Sequence, residues 1–166
     1  AFCAGGDVKA MSNVNSNGAT SPLETLIHRQ RLNQRSTSGR LNKMPKPTLA
    51  VISGPAAGAG LSIALACDLR IMSSTAFMTT AFAKVGFSGD YGGTLFMSQL
   101  VGTAKARELY FLSERIGAEE AERLGLTNWV VTPEDLQARA TDIVRKLASG
   151  PTVAFSYMKE NLASAL

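Results

Sequence analysis

The sequence predicts an α/β fold in which parallel strand–turn–helix units run into a largely helical C-terminal region, and three observations carry that expectation. Residues 48–52 (Thr-Leu-Ala-Val-Ile) form a short apolar, β-branched run behind Pro45 and Pro47, the pattern of a buried parallel strand. A Gly54-Pro55 turn, a small-residue run at 56–67 suited to a helix lying close on a sheet, and a second short strand at 68–72 follow it. That order is the grammar of a parallel unit whose helix crosses over one face. Beyond the glycine-rich stretch 86–93, apolar residues recur at three-to-four spacing almost to the end of the chain, as in helices packed along one face.

Taken in order, the chain opens at Ala1 on what reads as the second half of a strand-and-turn, so a preceding segment is expected. Residues 11–22 are rich in Ser, Asn, Gly and Thr and read as a mobile loop. Leu23, Leu26, Ile27 and Leu32 recur among Arg, Gln and Asn, which predicts an amphipathic helix over 23–41 with one thin buried stripe. His28, the single histidine, reads as a solvated helix position, because no nucleophile or acid lies near it. Helices are expected at 91–100, 103–112, 118–124 and 133–148, the last opened by Pro133, with a short strand at 128–131. Gly150-Pro151 ends one helix and opens another over 152–162. Residues 1–132 thus form a core and residues 133–166 a helical region.

Composition narrows the function classes. Hydrophobic residues make up 45% of the 166, enough for one domain with a true core, and no apolar run approaches the roughly 20 residues of a membrane span. The net charge of +4 is scattered rather than gathered with aromatic residues, which argues against nucleic acid and suits a phosphorylated ligand weakly. Cys3 and Cys67 stand in apolar settings at no metal-ligand spacing, so no metal and a reducing, cytoplasmic setting are expected.

Three segments pair a tight, side-chain-poor turn with a helix: Phe2-Cys3-Ala4-Gly5-Gly6-Asp7, Gly54-Pro55-Ala56-Ala57-Gly58-Ala59-Gly60 and Ser88-Gly89-Asp90-Tyr91-Gly92-Gly93-Thr94. Glycine and alanine let backbone N–H groups approach a ligand, and a helix start adds unsatisfied donors, so such turns bind anions or developing oxyanions. Singly, each also fits close helix–strand packing. The spacing matches neither the phosphate-binding Gly-Lys-Ser/Thr loop nor the dinucleotide fingerprint; the serine-hydrolase elbow is absent, and the single histidine stands in a context that gives a Ser-His-Asp triad little support.

In combination these segments resemble the crotonase (enoyl-CoA hydratase/isomerase) superfamily. The string Phe-Cys-Ala-Gly-Gly-Asp-Val-Lys at 2–9 is similar to its first oxyanion motif, and the stretch from Lys46-Pro47-Thr48 to Cys67-Asp68-Leu69-Arg70 to its second. The likeness continues through 102–112 and Ala121-Glu122-Arg123-Leu124-Gly125-Leu126, covering nearly the whole chain. It implies a ββα spiral with a helical C-terminal oligomerisation region, lacking the turns before Ala1 and part of the closing helices after Leu166. It also implies an acyl-CoA thioester as substrate, CoA entering only as part of that substrate with no bound cofactor, and a homotrimer or a hexamer built from two trimers.

By the same resemblance the amides of Ala4 and Ala59 form an oxyanion hole for the thioester carbonyl, and Gly5, Gly6, Asp7 and Val8 lie along the CoA moiety. The positions that match the two glutamates of family hydratases hold Ser62 and Phe82, neither of which can serve as a carboxylate base. Asp90 matches the aspartate used in branches that include double-bond isomerases of the phenylacetate type, hydroxyacyl-CoA hydrolases and an aryl-CoA dehalogenase. One carboxylate beside an apolar pocket suffices to remove and return a proton, so an enoyl-CoA isomerase with Asp90 as acid/base is the preferred reading. An atypical hydratase, a hydrolase and a non-catalytic acyl-CoA binder or scaffold are the alternatives. Capping of the helix expected near Tyr91 is the structural role open to Asp90. Phe77, Phe82 and Phe87 are available to line a core or an acyl pocket.

Overall fold

The computed structural model describes residues 1–6 and 23–164. The expected loop at 11–22 therefore lies outside the described residues. Two helices, α1 (Leu23–Ser36) and α2 (Ser38–Lys43), lead into strand β1 (Leu49–Ile52), and β2 (Ala56–Ala57) and helix α3 (Ala59–Leu65) complete one turn of the fold. The second turn repeats the order with β3 (Leu69–Ser73), β4 (Phe77–Thr79) and α4 (Gly93–Leu112). Then come β5 (Ile116–Gly117), α5 (Ala118–Arg123), β6 (Trp129–Val131), α6 (Leu136–Ala148) and α7 (Thr152–Ser164).

The repeat is spatial as well as sequential. β1 pairs in parallel with β3, Leu49 opposite Leu69, while β2 pairs in parallel with β4, Ala56 opposite Met78. Each turn thus lays one strand in each of two sheets before its helix crosses back, and Cys3 extends the second sheet by a parallel bridge to Ala56. β6 joins β3 in the first sheet and β5 closes the second antiparallel to β4. This is the ββα spiral, and it differs from the single strand–helix–strand unit that local patterning predicts. Ala56 and Ala57 are strand, not the start of a helix, because Gly58 at φ 53° and ψ −124° breaks the backbone immediately before α3.

Burial follows the pleat. Ile52, Met72 and Met78 are fully buried in the main core with Leu61 and Leu65 of α3, Met97 and Leu109 of α4, and Leu126. Ile71, one residue from Met72 and so on the other face of β3, is buried with Leu136, Ala140 and Ile143 as α6 covers the outside of the first sheet. A run of four buried residues along β3 reflects this two-sided cover.

Three local expectations are corrected. The 23–41 helix is two helices meeting at Thr37, and its apolar stripe is open, with Leu26 48% and Leu32 50% exposed, because no described element packs over that face. α6 begins at Leu136 rather than Pro133, after a turn in which the Asp135 amide donates to the Thr132 hydroxyl. The helix expected to begin at Tyr91 begins at Gly93, since Tyr91 (φ 51°) and Gly92 (φ 74°) are left-handed. The division of the following helix into 91–100 and 103–112 corresponds to a sharp break in α4 at Gly102, φ 76° and ψ 161°.

Candidate functional site

The three glycine-rich turns converge. A cavity of about 280 Å³ is bordered by Ala4, Gly5 and Gly6 of the first, Gly58 and Ala59 of the second, and Asp90 and Tyr91 of the third, with Phe82 and Phe87 on its apolar side. Of the residues expected to contact CoA, Gly5 and Gly6 stand at this cavity, and Asp7 and Val8 lie outside the described residues.

The first two turns touch through glycine. A Cβ on Gly5 would lie 2.9 Å from the Ala57 carbonyl oxygen and 3.6 Å from the Ala59 nitrogen, and Gly5 itself is at φ 87°. A Cβ on Gly60 would overlap the carbonyl oxygen and Cβ of Cys3, so only glycine lets α3 begin against the Cys3–Ala4 strand end. The register is held by the Ala57 amide donating to the Cys3 carbonyl and the Cys3 amide donating to Pro55. Among the described residues, neither the Ala4 nor the Ala59 N–H has an acceptor, which leaves two neighbouring donors beside the cavity.

Asp90 borders the same cavity from the third turn. Gly89 (φ 108°), Tyr91 (φ 51°) and Gly92 (φ 74°) are all left-handed, and the Gly93 amide closes the loop on the Asp90 carbonyl. Among the described residues Tyr91 is one of three non-glycine residues in that region of backbone space, and a second, Ala81, also borders the cavity, so local strain gathers at this site. The N-cap of α4 is Gly92, with no side-chain cap, so Asp90 does not play the capping role that a helix starting at Tyr91 would give it. Among the described residues, its buried Oδ1 has no hydrogen-bond partner. Burial pushes the Asp90 carboxyl above the usual carboxylate range.

The remaining expected residues divide. Phe82, 5% exposed, borders the cavity and opens the 3-10 turn Ala83–Val85; Phe87 is half exposed at the mouth. Ser62 is fully buried behind the wall, its hydroxyl donating to the Gly58 carbonyl at 3.3 Å, and it does not border the cavity. Phe77 lies elsewhere, under the Arg115 guanidinium at 4.4 Å. His28 is exposed on α1.

Sequence patterning misses three contributors. Gln30 reaches the cavity from the otherwise exposed α1. Thr80, also bordering the cavity, fixes the wall by donating to the Leu109 carbonyl at 2.9 Å, with the Ser113 hydroxyl at the same distance. Tyr110 stacks on Phe82, ring centroids 5.8 Å apart and planes 7° from parallel. Burial, with Asp90 nearby, pushes its phenol up to about 12, against a lowering contribution from its hydrogen bond with Ser62. Tyr110 falls on the buried side of α4 one turn after Ala106, a signal present in the helical period.

Two backbone donors on one wall and a desolvated carboxyl on another can polarise a carbonyl oxygen and exchange a proton on carbon beside it. Known proteins share this fold. The family model described as enoyl-CoA hydratase/isomerase matches residues 1–166. A short-chain-enoyl-CoA hydratase of Clostridium acetobutylicum is 40% identical over 121 residues, 73% of this chain and 46% of that protein. A 1,2-epoxyphenylacetyl-CoA isomerase of Escherichia coli is 35% identical over 164 residues, 99% of this chain and 61% of that one. The crystal structure of an enoyl-CoA hydratase from Polaromonas sp. JS666 superposes with a TM-score of 0.89 at 30% identity, over 99% of this chain and 62% of that one. The chain therefore spans about half to three fifths of the length of these relatives.

Proposed function

The chain belongs to the enoyl-CoA hydratase/isomerase family, and within it we propose that this protein moves a double bond along an enoyl-CoA, with Asp90 as the single acid/base. The observation that carries the reading is the orphaned, desolvated Asp90 carboxyl in the same cavity as the unpaired Ala4 and Ala59 amides. The thioester oxygen would accept from those two N–H groups. Asp90 would take a proton from the acyl chain, and the electron pair left behind would delocalise onto the thioester oxygen as a dienolate. The neutral carboxyl would then return the proton at the other end of the conjugated system, so that atoms and charge balance without a co-reactant.

A raised carboxyl pKa suits both halves of that cycle, since the group must be a base first and an acid afterwards. The apolar side of the cavity, including Ile63, Ala81, Phe82 and Val85, supports an acyl tail rather than a polar one.

Hydration is the second reading, favoured by the 40% identity to a short-chain-enoyl-CoA hydratase. Against it, the positions matched to the hydratase glutamates hold Ser62, hydrogen-bonded to Gly58, and Phe82, a ring. The test is turnover of a 3-enoyl-CoA, crotonyl-CoA and a 3-hydroxyacyl-CoA in deuterated water, followed by mass spectrometry. Conversion of the 3-enoyl ester to its 2-enoyl isomer, lost in Asp90→Asn, is the expected result, with deuterium entering the acyl chain only as far as the Asp90 proton exchanges with solvent between removal and return. Water addition to crotonyl-CoA without isomerisation, or acyl-CoA binding with no turnover, would overturn it.

A further inference from the structure

We propose that the stacked rings of Phe82 and Tyr110 form the end wall of the acyl cavity and set the length of acyl chain this protein accepts. The inference rests on the acyl-CoA reading above and deepens it to a class of substrate, short-chain acyl thioesters. Phe82 borders the cavity that holds Ala4, Ala59 and Asp90. Tyr110, in near-parallel contact with it, borders a different hollow, an open groove of about 250 Å³ along α4 with Thr94, Ser98, Arg107 and Phe111. The two-ring stack thus stands between a catalytic cavity on one side and a surface groove on the other.

The wall is held from several directions. A Cβ on Gly89 would come within 3.1 Å of the Tyr110 ring and 3.9 Å of the Phe82 ring, and one on Gly93 would come within 2.6 Å of the Tyr110 hydroxyl. Glycine at both positions lets the third turn close directly on the tyrosine. The Cβ on Gly93 would also overlap the hydroxyl of the buried Ser62, so Ser62 and Tyr110 stand side by side behind Gly93, and Ser62 is itself bonded to Gly58 at the base of the second turn. At its other edge Phe82 lies beside Gly58, where an added Cβ would make ordinary contact with its Cε1 at 3.8 Å. A ring caged in this way cannot rotate aside for a longer tail without moving the turns that carry Ala59 and Asp90. The cavity, at about 280 Å³, is also at the small end of ligand sites, which run from roughly 300 to 1,000 Å³.

Equilibrium titration of the full chain with saturated butyryl-, hexanoyl-, octanoyl- and decanoyl-CoA tests the wall separately from the chemistry, because no double bond is present to move. Affinity should rise about fourfold per methylene up to hexanoyl-CoA and stop rising by octanoyl-CoA. Phe82→Ala should carry the rise on to octanoyl-CoA by removing the ring that borders the cavity, while Tyr110→Phe should leave the cut-off where it is. Phe82→Leu, read the same way, replaces Phe82→Ala if circular dichroism shows that variant unfolded. An unbroken rise to decanoyl-CoA in the unmodified protein, or an unchanged cut-off in a folded variant at Phe82, overturns the wall. Failure of every acyl-CoA to bind overturns the acyl-CoA reading itself, a distinct result.

Discussion

Two aspartates, Asp68 and Asp90, sit at comparable depth in this molecule and live in opposite surroundings. Asp68 Oδ2 accepts from the Thr48 amide at 2.7 Å, the Thr48 hydroxyl at 2.8 Å and Lys159 Nζ at 2.8 Å, and the Asp68 amide donates back to the Thr48 hydroxyl. It ties β1, β3 and α7 together at one point. Asp90 has a buried Oδ1 with no partner among the described residues, on a turn of left-handed residues, at the edge of a cavity. A carboxylate satisfied three times over has no capacity left for chemistry, whereas an unsatisfied one is held in a state that a substrate proton can relieve. The difference separates an aspartate that builds the fold from the one proposed as acid/base.

Substitution at the two sites should therefore fail in different ways. Asp90→Asn should lower turnover by about 10² to 10⁴-fold, the usual worth of a positioned acid/base, while the melting temperature stays level or rises. A fall in melting temperature alongside full activity would break the contrast. Gly60→Ala tests the donors opposite Asp90. Its Cβ must displace the Cys3 backbone, and steady-state kinetics should show about a 10²-fold loss as one amide leaves position. Asp68→Asn should cost about 2 kcal/mol in urea denaturation, through weakened charge-assisted hydrogen bonds and a half-buried Lys159 without its partner, with activity per folded molecule kept.

The smallest effect should appear in pH dependence. The Asp90 pKa is raised in the folded chain, so both folded and unfolded forms carry its proton at low pH and stability is then undiminished. As pH rises from the ordinary carboxylate range towards the raised value, the unfolded chain loses its proton first, and stability falls across that window. Turnover should rise through the same raised value as the base form appears. Asp90→Asn should remove the Asp90 contribution to the stability slope, while Asp68→Asn should leave it in place. Chemical denaturation at a series of pH values measures both.

Much of this contrast is visible in the chain before folding, and the remainder is not for identifiable reasons. The glycine spacing around Ala4, Ala59 and Asp90 marks three side-chain-poor turns, because backbone that approaches a ligand or another backbone cannot carry a Cβ. β1, β3 and β6 are legible from short apolar runs. β4 and β5 are not, since strands as short as Phe77–Thr79 and Ile116–Gly117 lack a period of their own and exist through pairing with each other and with β2. Leu26, Ile27 and Leu32 mislead in the opposite sense, an apolar stripe on α1 that no described element covers. Ser62 shows a limit of matching by position: the residue is placed correctly along α3, yet its hydroxyl faces Gly58 and Tyr110 rather than the cavity.

The sequence by itself determined the turns, the order of strands and helices in the first sheet, and the absence of a carboxylate at 62 and 82, because these depend on residue type and local backbone preference. Tertiary structure alone decided that the turns meet around one cavity, that among the described residues Asp90 Oδ1 is left unpaired where Asp68 Oδ2 is bonded three times, and that Tyr110 backs Phe82. Those outcomes depend on which groups remain without a partner once every other contact is made, and that is a property of the packed molecule rather than of any segment in it.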